Sequence, residues 1–337
     1  MSLTRFSGRA SGLALVFLLT ADPASAQTLG ARAAGLAEAF VAVADDATSI
    51  YWNPAGMATG SYLSFVVDFG AGELDDETGA DAAAGRSRSR FIGATMPALG
   101  LAYYRQNRLV ASPPAGSTGS SREDGRQSVQ GLAVSTVGAT VAQSVTDYLV
   151  VAGTVKLLRG AVRGGVVEAA NPGAALDRAD DLASEGTTRF DVDAGAMVTV
   201  GQWRAGLVAR NLSTPAFDGP SVDGRRLTLD REVRAGLAWG AGWPGTSRLV
   251  LAADADLTRR VTVSGERRDV AAGVETWWLN QRLGLRGGLR GSLAGEARPV
   301  VAAGLSAALA SGFFVEAHVA AGRRDERTWS VGARVTY

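Results

Sequence analysis

Few residues in this sequence are suited to nucleophilic or acid–base chemistry. His318 is the only histidine, and the 337 residues contain no cysteine. Two-residue alternation predicts that Ser306, His318 and Ser330 point to one side of three successive strands, where a hydrolase could assemble. A Gly-x-Ser-x-Gly elbow is missing, and a lone imidazole among Asp and Arg is more often part of a polar network. We therefore predict that the protein is not an enzyme.

Composition also argues against several kinds of binding site. Without cysteine there is no thiolate ligand, and one histidine removes most His-based metal sites. The glycine-rich stretch 284–291 lacks the lysine of a phosphate-binding loop and reads as a strand. The net charge of +1 gives no argument for nucleic acid. We predict no metal, no organic cofactor and no nucleic-acid partner.

Residues 1–26 have the features of a secretory signal peptide. Arg5 and Arg9 precede an apolar run over 13–19, and Ala24-Ser25-Ala26 forms a small-residue cleavage site. The apolar run is about half the ~20 residues that a spanning helix needs. Export across the inner membrane is the expectation.

From about residue 60 onward, apolar and polar residues alternate with the two-residue period of strands. In 189–200, for example, Phe190, Val192 and Val198 share one face while Asp191 and Asp193 lie on the other. Most segments run 9–13 residues, the length that crosses a bilayer at a ~45° tilt. Fourteen such segments are predicted: 61–70, 89–97, 99–106, 128–143, 148–160, 188–200, 203–212, 229–240, 247–257, 268–279, 281–291, 299–309, 312–322 and 328–337.

The connections between these segments alternate between long and short. Long connections at 71–88, 107–127 and 161–187 are separated by short ones at 98 and 144–147. Outer-membrane barrels have long extracellular loops and short periplasmic turns. The fold class predicted is all-β: a transmembrane antiparallel β-barrel of about fourteen strands over 61–337, located in the outer membrane.

The two faces of the strands then face different surroundings. The apolar face should meet lipid, with Trp203, Trp239, Trp278 and Trp329 near strand ends as an aromatic girdle. The charged face should line the lumen, where neighbouring strands can form ion pairs. Its predicted members are Asp191, Asp193, Arg204, Arg210, Asp230, Glu232, Arg234, Asp254, Asp256, Asp269, Glu275, Arg286, Arg290, Glu316, His318 and Arg334. Whether any of them lies on a solute path stays open.

Residues 27–60 do not alternate and are predicted to form a small helical hatch inside the lumen. Residues 31–44 place Leu36, Phe40 and Val43 at the spacing of a short amphipathic helix. The following Asn53-Pro54 pair predicts an Asx-turn, because Pro54 biases Asn53 away from the helical region.

The stretch from Gly30 to Ala58 resembles the N-terminal hatch of the FadL/TodX hydrophobic-compound transporters and of the related PorV-type proteins. The resemblance is carried by the Asp45-Asp46-Ala47 element and by the Asn53-Pro54-Ala55 triplet. It implies a fourteen-stranded barrel with the hatch inside. It also implies passive, hatch-gated uptake of hydrophobic compounds, either fatty-acid-like or aromatic.

The same resemblance suggests where such compounds would bind. Asp45, Asp46, Asn53, Pro54 and Ala55 would form the hatch and its gate. A first pocket would be lined by Phe40, Ile50, Trp52 and Met57, unless these residues only pack the hatch against the wall. A capture groove would use Val166, Val167, Leu176 and Leu182 of the loop 161–187, with a short helix opened by Pro172; a solvated loop helix is an equal alternative.

Short loops and a charged lumen leave a second function open. The chain would then be a PorV-like structural or secretion-accessory barrel that binds protein partners without transport. The last segment ends at Tyr337 after apolar residues at every second position, which resembles the C-terminal signal read by the barrel-assembly machinery. Hydrophobic small molecules, outer-membrane lipids and that machinery are the partners expected.

Overall fold

The computed structural model describes residues 28–76, 83–114, 125–220, 226–241, 249–262, 265–295, 297–323 and 326–337. The predicted signal peptide, residues 1–26, lies outside the described residues.

Fourteen strands within these ranges close into one antiparallel barrel, which confirms the predicted fold class and strand count. Each barrel strand pairs with the next one along the chain, and the first pairs with the last over Ser64–Glu73. The strands are β1 Ser64–Asp76, β2 Ala83–Met96, β3 Leu99–Ser112, β4 Arg126–Ser144, β5 Leu149–Glu168, β6 Ser184–Val200, β7 Trp203–Arg210, β10 Glu232–Ala241, β11 Leu249–Asp256, β14 Asp269–Trp278, β15 Leu283–Ser292, β16 Val300–Ala310, β17 Phe313–Gly322 and β18 Arg327–Thr336.

Two small hairpins and several short helices complete the described elements. The hairpins pair β8 Ala216–Phe217 with β9 Leu227–Thr228, and β12 Arg260–Thr262 with β13 Gly265–Arg267. The helices are α1 Ala31–Gly35, α2 Ser49–Trp52 and α3 Pro172–Asp177, with 3₁₀ helices at Pro54–Thr59 and Ala179–Asp181. None of the helices in the described ranges has the length and apolarity needed to span a membrane.

The barrel wall is much taller on one side than on the other. β4 and β5 have 19 and 20 residues, whereas β7 and β11 have 8 each. The sequence pattern predicted that β5 ends at residue 160, but its ladder with β4 continues to the Arg126–Glu168 pair. The apolar alternation ends where the strand leaves the membrane, while backbone pairing does not depend on that alternation. Consequently, residues 161–168 of the predicted loop 161–187 are strand, and β6 already begins at residue 184.

The predicted division of the wall into a lipid face and a lumen face is present in the structure. Of the charged residues predicted to line the lumen, all except Asp230 and Arg290 are buried. On the opposite face, Trp203, Trp278 and Trp329 are more than half exposed. The strand charges that were predicted for the lumen therefore lie mainly inside the barrel, where a buried charge needs a partner.

Candidate functional site in the barrel lumen

The wall strands surround residues 28–60, which we call the inner segment. Its apolar side chains form one cluster with lumen-facing residues of the wall, and Leu29, Leu36 and Phe40 have no exposed surface. Polar groups of the segment bond to wall carboxylates on β1 and β11. The contacts tie the inner segment to both halves of the barrel wall.

The amphipathic helix predicted over 31–44 is wrong beyond its first turn. Helix α1 ends at Gly35, and Ala37 and Glu38 have φ angles of 51° and 74°, which a right-handed helix does not allow. The backbone N–H groups of Phe40 and Val41 donate instead to one carboxylate oxygen of Asp254, both at 2.8 Å. A buried wall carboxylate outcompetes the helix because it satisfies two amide donors at once.

A second wall carboxylate holds the start of α1. Asp68 accepts hydrogen bonds from the N–H groups of Gly30 at 3.2 Å and Ala31 at 2.9 Å. Asp68 and Asp254 therefore bind the two ends of the same stretch of the inner segment from different sides of the barrel.

The Asn53-Pro54-Ala55 triplet joins the inner segment to the wall. The Asn53 Oδ1 accepts from the N–H of Ala55 at 3.2 Å, which is the predicted Asx-turn. Its Nδ2 donates to the carbonyls of Val41 at 2.9 Å and Ala196 at 3.1 Å. One asparagine side chain thus shapes its own turn, ties the turn to the preceding segment and fastens it to β6.

Two wall glycines make room for this triplet. A Cβ at Gly195 would lie 2.3 Å from the Asn53 Oδ1 and 2.8 Å from the Pro54 Cδ. A Cβ at Gly206 would lie 2.6 Å from the Val41 carbonyl oxygen. The wall approaches the triplet so closely that no side chain fits between them.

The Asp45-Asp46 pair connects the inner segment to a chain of buried ion pairs. Asp46 lies 3.2 Å from the Arg32 guanidinium, and Asp45 also pairs with Arg32. Arg32 in turn donates to Glu275 through Nε and Nη2, both at 2.9 Å.

The ion pairs continue along the lumen face of the wall. Glu275 also accepts from the Arg286 Nε at 2.5 Å, and Arg286 lies 3.5 Å from Glu316. Glu316 accepts from the Arg334 Nη2 at 3.1 Å. The network therefore runs from the inner segment across β14, β15, β17 and β18.

Glu38 is an acidic group of the inner segment that borders a lumen cavity. Burial alone would raise its pKa, but the cationic Arg290 and Arg234 and a hydrogen bond from Thr28 lower the pKa to about 2. The Arg234 Nη2 also donates to the Glu38 carbonyl at 3.1 Å. Glu38 is thus held in its charged form.

The four residues predicted to line a ligand pocket lie in the interior of the inner segment. Phe40, Ile50, Trp52 and Met57 are at most 2% exposed. The Trp52 indole N–H donates to the Leu29 carbonyl at 2.8 Å, and its ring meets Phe40 edge-on at 6.1 Å. None of the four lines either of two lumen cavities bordered by described residues, so their role as ligand contacts stays a prediction.

The first of these cavities lies between the inner segment and β1, β2, β16 and β18, and is strongly polar. It has a volume of about 110 Å³ and is bordered by Glu38, Arg108, Arg267, Arg290, Arg298 and His318, among others. Its basic residues outnumber its acidic ones, so it suits a polar or anionic solute better than a hydrocarbon.

A second cavity of about 110 Å³ has one apolar side and one charged side. Tyr51 of the inner segment and Tyr104 of β3 meet edge-on at 5.7 Å on its border. The apolar side is formed by Leu132, Val134, Leu158 and Leu229, and the charged side by Lys156, Asp193, Arg210, Glu232 and Arg260. We call it the amphipathic cavity.

The groove predicted in the third long connection lies on the outside of the barrel. Leu176, Leu182 and Val167 pack against Ala84, Leu109, Ala111 and Val129. By strand alternation those four wall residues share the face of the exposed Ile92, Leu101 and Val137. Val166 is in β5, is 41% exposed and is not part of this cluster. In the described residues these three side chains therefore cover the outer wall instead of lining the lumen entrance; Pro172 does open the predicted helix.

The described hairpin of the fourth long connection, residues 213–228, packs into the lumen instead, which was not predicted from the sequence. Phe217 and Leu227 of its hairpin pack with Leu132, Leu158 and Val162 on the inner face of β4 and β5. A Cβ at Gly160 would meet the Phe217 ring at 2.2 Å. A signal was present: apolar pairs at 216–217 and 227–229 flank an Asp-Gly dipeptide, the sequence pattern of a hairpin.

The only histidine forms a polar contact of the kind expected from the sequence. The His318 Nδ1 lies 2.7 Å from the Ser330 Oγ, while the Ser306 Oγ donates to Glu316 at 2.8 Å. The other ring nitrogen of His318 is 3.4 Å from the Thr328 hydroxyl, so no acidic group orients the ring in the described residues. Those residues also contain no cluster of three or more His, Cys, Asp or Glu suited to a metal ion.

Solved structures that are named as a channel or a transporter share this fold. The CymD monoaromatic hydrocarbon channel aligns over 95% of this chain and 99% of its own, with a TM-score of 0.61 and 11% identity. A Pseudomonas aeruginosa FadL homologue covers 93% and 98%, with a TM-score of 0.60 and 10% identity. The Pseudomonas putida toluene transporter TodX covers 86% and 92%, with a TM-score of 0.53 and 12% identity. The chain thus shares the barrel fold of these proteins.

Sequence comparison gives a narrower family. No protein of curated function matches the sequence. A family model described as "F plasmid transfer operon, TraF, protein" matches residues 59–256, which is more than half of the chain. This chain therefore belongs to the TraF plasmid-transfer-operon protein family.

Proposed function

We propose that this protein is an outer-membrane channel for the passive, hatch-gated uptake of small hydrophobic compounds, fatty-acid-like or aromatic. The observation that carries the proposal is the amphipathic cavity, because the inner segment forms part of its border through Tyr51. A compound in that cavity contacts both the fixed wall and the segment that must move to let it pass. The fold shared with hydrophobic-compound channels supports the same proposal.

The composition of the cavity narrows the class of compound. An alkyl chain or ring would lie against Leu132, Val134 and Leu158, and the Tyr51–Tyr104 pair offers aromatic edges. The opposite side holds Lys156 and Arg210 together with their acidic partners Asp193 and Glu232, and this mixed-charge side suits a polar end. An apolar compound with one polar group therefore fits better than a plain hydrocarbon.

Two neighbouring leucines allow a matched test. Leu158 lines the amphipathic cavity and is 2% exposed, whereas Leu157 faces lipid and is 55% exposed. We expect Leu158→Trp to fill the cavity and weaken binding of an aromatic carboxylic acid about tenfold or more, which corresponds to about 1.4 kcal/mol. Leu157→Trp should leave binding unchanged. Native mass spectrometry and calorimetry on the detergent-solubilised protein measure both; equal affinity in the two variants would contradict the proposal.

In this proposal the inner segment acts as the hatch, with Asp45, Asp46, Asn53, Pro54 and Ala55 as its fastening points. Deleting residues 27–58 should raise small-solute leakage through the barrel in liposomes, because the segment occupies the lumen. Unchanged conductance after the deletion would remove the hatch from the mechanism.

A second candidate function is a barrel that binds protein partners without transport. The match to a plasmid-transfer-operon protein family favours it, since such operons encode components that act together. A stoichiometric protein partner in mild detergent, with no co-purifying lipophilic compound, would support this second function over the first. In either case Tyr337, which pairs with Leu63 at 2.9 and 3.0 Å, is proposed to end the strand that the assembly machinery reads.

A further inference from the structure

The outer face of β2 to β5 changes from apolar to basic within a single row of paired residues. Ile92, Tyr103, Val137 and Leu157 pair across these strands, and each is more than 40% exposed to the lipid side. The next row toward the long loops on the same face is Arg90, Arg105, Ser135 and Arg159. Its three arginines are exposed, and we call them the arginine row.

The arginine row places like charges directly opposite each other. Arg90 and Arg105 are partners in the β2–β3 ladder, and Arg159 is partnered with Ser135 of β4. Directly opposed like charges destabilise a sheet. In the described part of the chain no acidic side chain forms an ion pair with any of the three.

Two acids of the third long connection pair with other arginines of this face. The third long connection packs on the outer wall, where its Asp177 lies 2.9 Å from Arg86 and its Asp180 lies 2.7 Å from Arg163. Arg86 and Arg163 belong to the row two steps further from the membrane. The third long connection therefore neutralises Arg86 and Arg163. It leaves the arginine row without an acidic partner among the residues that the structure describes.

The position of the row defines what can neutralise it. Residues directly above an apolar band lie at the level of lipid headgroups. Arginine binds phosphate through two parallel N–H donors, and each basic residue near an anionic surface contributes about 1 kcal/mol. Adjacent strands are about 4.8 Å apart, so β2 to β5 spread the row over about 15 Å, enough for more than one phosphate.

We propose that the arginine row binds the phosphate groups of lipid headgroups in the outer leaflet of the membrane, with acyl chains lying on the apolar row below. The site requires only that the barrel spans a membrane and is independent of what the lumen carries. It is confined to one part of the wall, because the same row continues as Phe69 on β1 and Val331 on β18.

The test compares a bis-phosphorylated diglucosamine lipid with its dephosphorylated form, each added to the full-length protein in a neutral detergent. Native mass spectrometry should show retention of the phosphorylated lipid only. The triple variant Arg90→Gln/Arg105→Gln/Arg159→Gln should bind it at least about tenfold more weakly, because each arginine lost removes one charge contact with the headgroup. Equal retention by the triple variant, or equal retention of the dephosphorylated lipid, overturns the proposal.

A control variant removes the same number of exposed charges elsewhere. Arg259, Arg282 and Arg323 are exposed and lie outside β2 to β5. Their triple change to Gln should leave lipid retention at the wild-type level, and loss of retention in it would assign the effect to net charge alone.

Two further measurements separate the remaining explanations. Inorganic phosphate at millimolar concentration should not displace the lipid; complete displacement would identify a free-anion site and contradict the lipid assignment. The phosphorylated lipid should also raise the Tm of the wild type and not that of the triple variant. Because removing opposed like charges does not destabilise the barrel, a lowered Tm of the lipid-free variant would show that the three arginines are stabilised by the protein itself, which contradicts the proposal.

Discussion

Arginines on the lumen face of the wall and arginines on its outer face have different partners. Arg286 on the lumen face is buried and contacts Glu275, Glu316 and Ser306. Arg90 on the outer face is exposed and is paired across the ladder with another arginine. A buried guanidinium without an acid costs several kcal/mol, whereas an exposed one is stabilised by water. The fold therefore accounts for the lumen arginines, while the proposed lipid phosphates would account for the outer row.

The largest effect on stability should follow from removing an acid that pairs with the lumen arginines. Glu275 is 1% exposed and accepts hydrogen bonds from both Arg32 and Arg286. Glu275→Ala leaves two buried cations with fewer acids, so we expect a loss of about 3–5 kcal/mol in the free energy of unfolding. Urea titration of the protein in micelles measures it. Glu73→Ala on the outer face is the control, with an expected change within about 0.5 kcal/mol; a similar loss in both variants would mean that burial does not decide the cost.

The next effect is a pH dependence that involves Glu38. Its folded pKa of about 2 lies below its ordinary value of 4.5, so its contribution is complete above about pH 4.5 and is lost as the pH falls toward 2. A depression of this size corresponds to about 3 kcal/mol. Glu38→Gln should therefore lower the free energy of unfolding near neutral pH and flatten its change between pH 4.5 and 2. Parallel curves for the variant and the wild type would show that Arg290 and Arg234 do not hold the carboxylate in its charged form.

A smaller effect should come from the contact between the wall and the inner segment. A Cβ at Gly195 would overlap Asn53 and Pro54, whereas a Cβ at Gly153 would meet only the Asp193 carbonyl oxygen at 3.8 Å. Gly195→Ala should cost about 1–3 kcal/mol through overpacking and increase ion leakage in planar bilayers. Gly153→Ala should change neither quantity. Closed, wild-type conductance in Gly195→Ala would show that the inner segment tolerates displacement without opening the barrel.

The wall was predictable from the sequence because its signal repeats. Phe190, Asp191 and Val192 alternate as a strand between lipid and lumen must, and the paired acids and arginines follow from burial. The single lysine of the chain is an example: Lys156 lies between Asp191 at 2.7 Å and Asp193 at 2.6 Å.

The inner segment and the loops were less predictable because long-range contacts decide them. The spacing of Leu36 and Phe40 is helical, yet Asp254, more than 200 residues away, takes the amide donors that a helix would use. Similarly, the apolar residues around Leu176 suit either the lumen entrance or the outer wall. In the folded barrel β2 to β4 are long enough to offer an outer surface to these residues, and they pack there. The composition of such an apolar segment predicts that it is buried, but it does not predict which part of the barrel it packs against.

The smallest effect concerns the outer arginines and separates their cost from their use. Arg90→Gln removes the like charge opposite Arg105, so in lipid-free detergent it should raise the free energy of unfolding by a few tenths to about 1 kcal/mol. Salt screens exposed charges, so the gain should shrink at high ionic strength. Arg88→Gln, on the same face but opposite Asn107, is the control and should give little change. In the presence of a phosphorylated lipid the sign for Arg90→Gln should reverse, because the charge that destabilises the bare wall is then paired. A variant that is less stable under both conditions would show that Arg90 is held by the protein, and the contrast between the two faces of the wall would no longer stand.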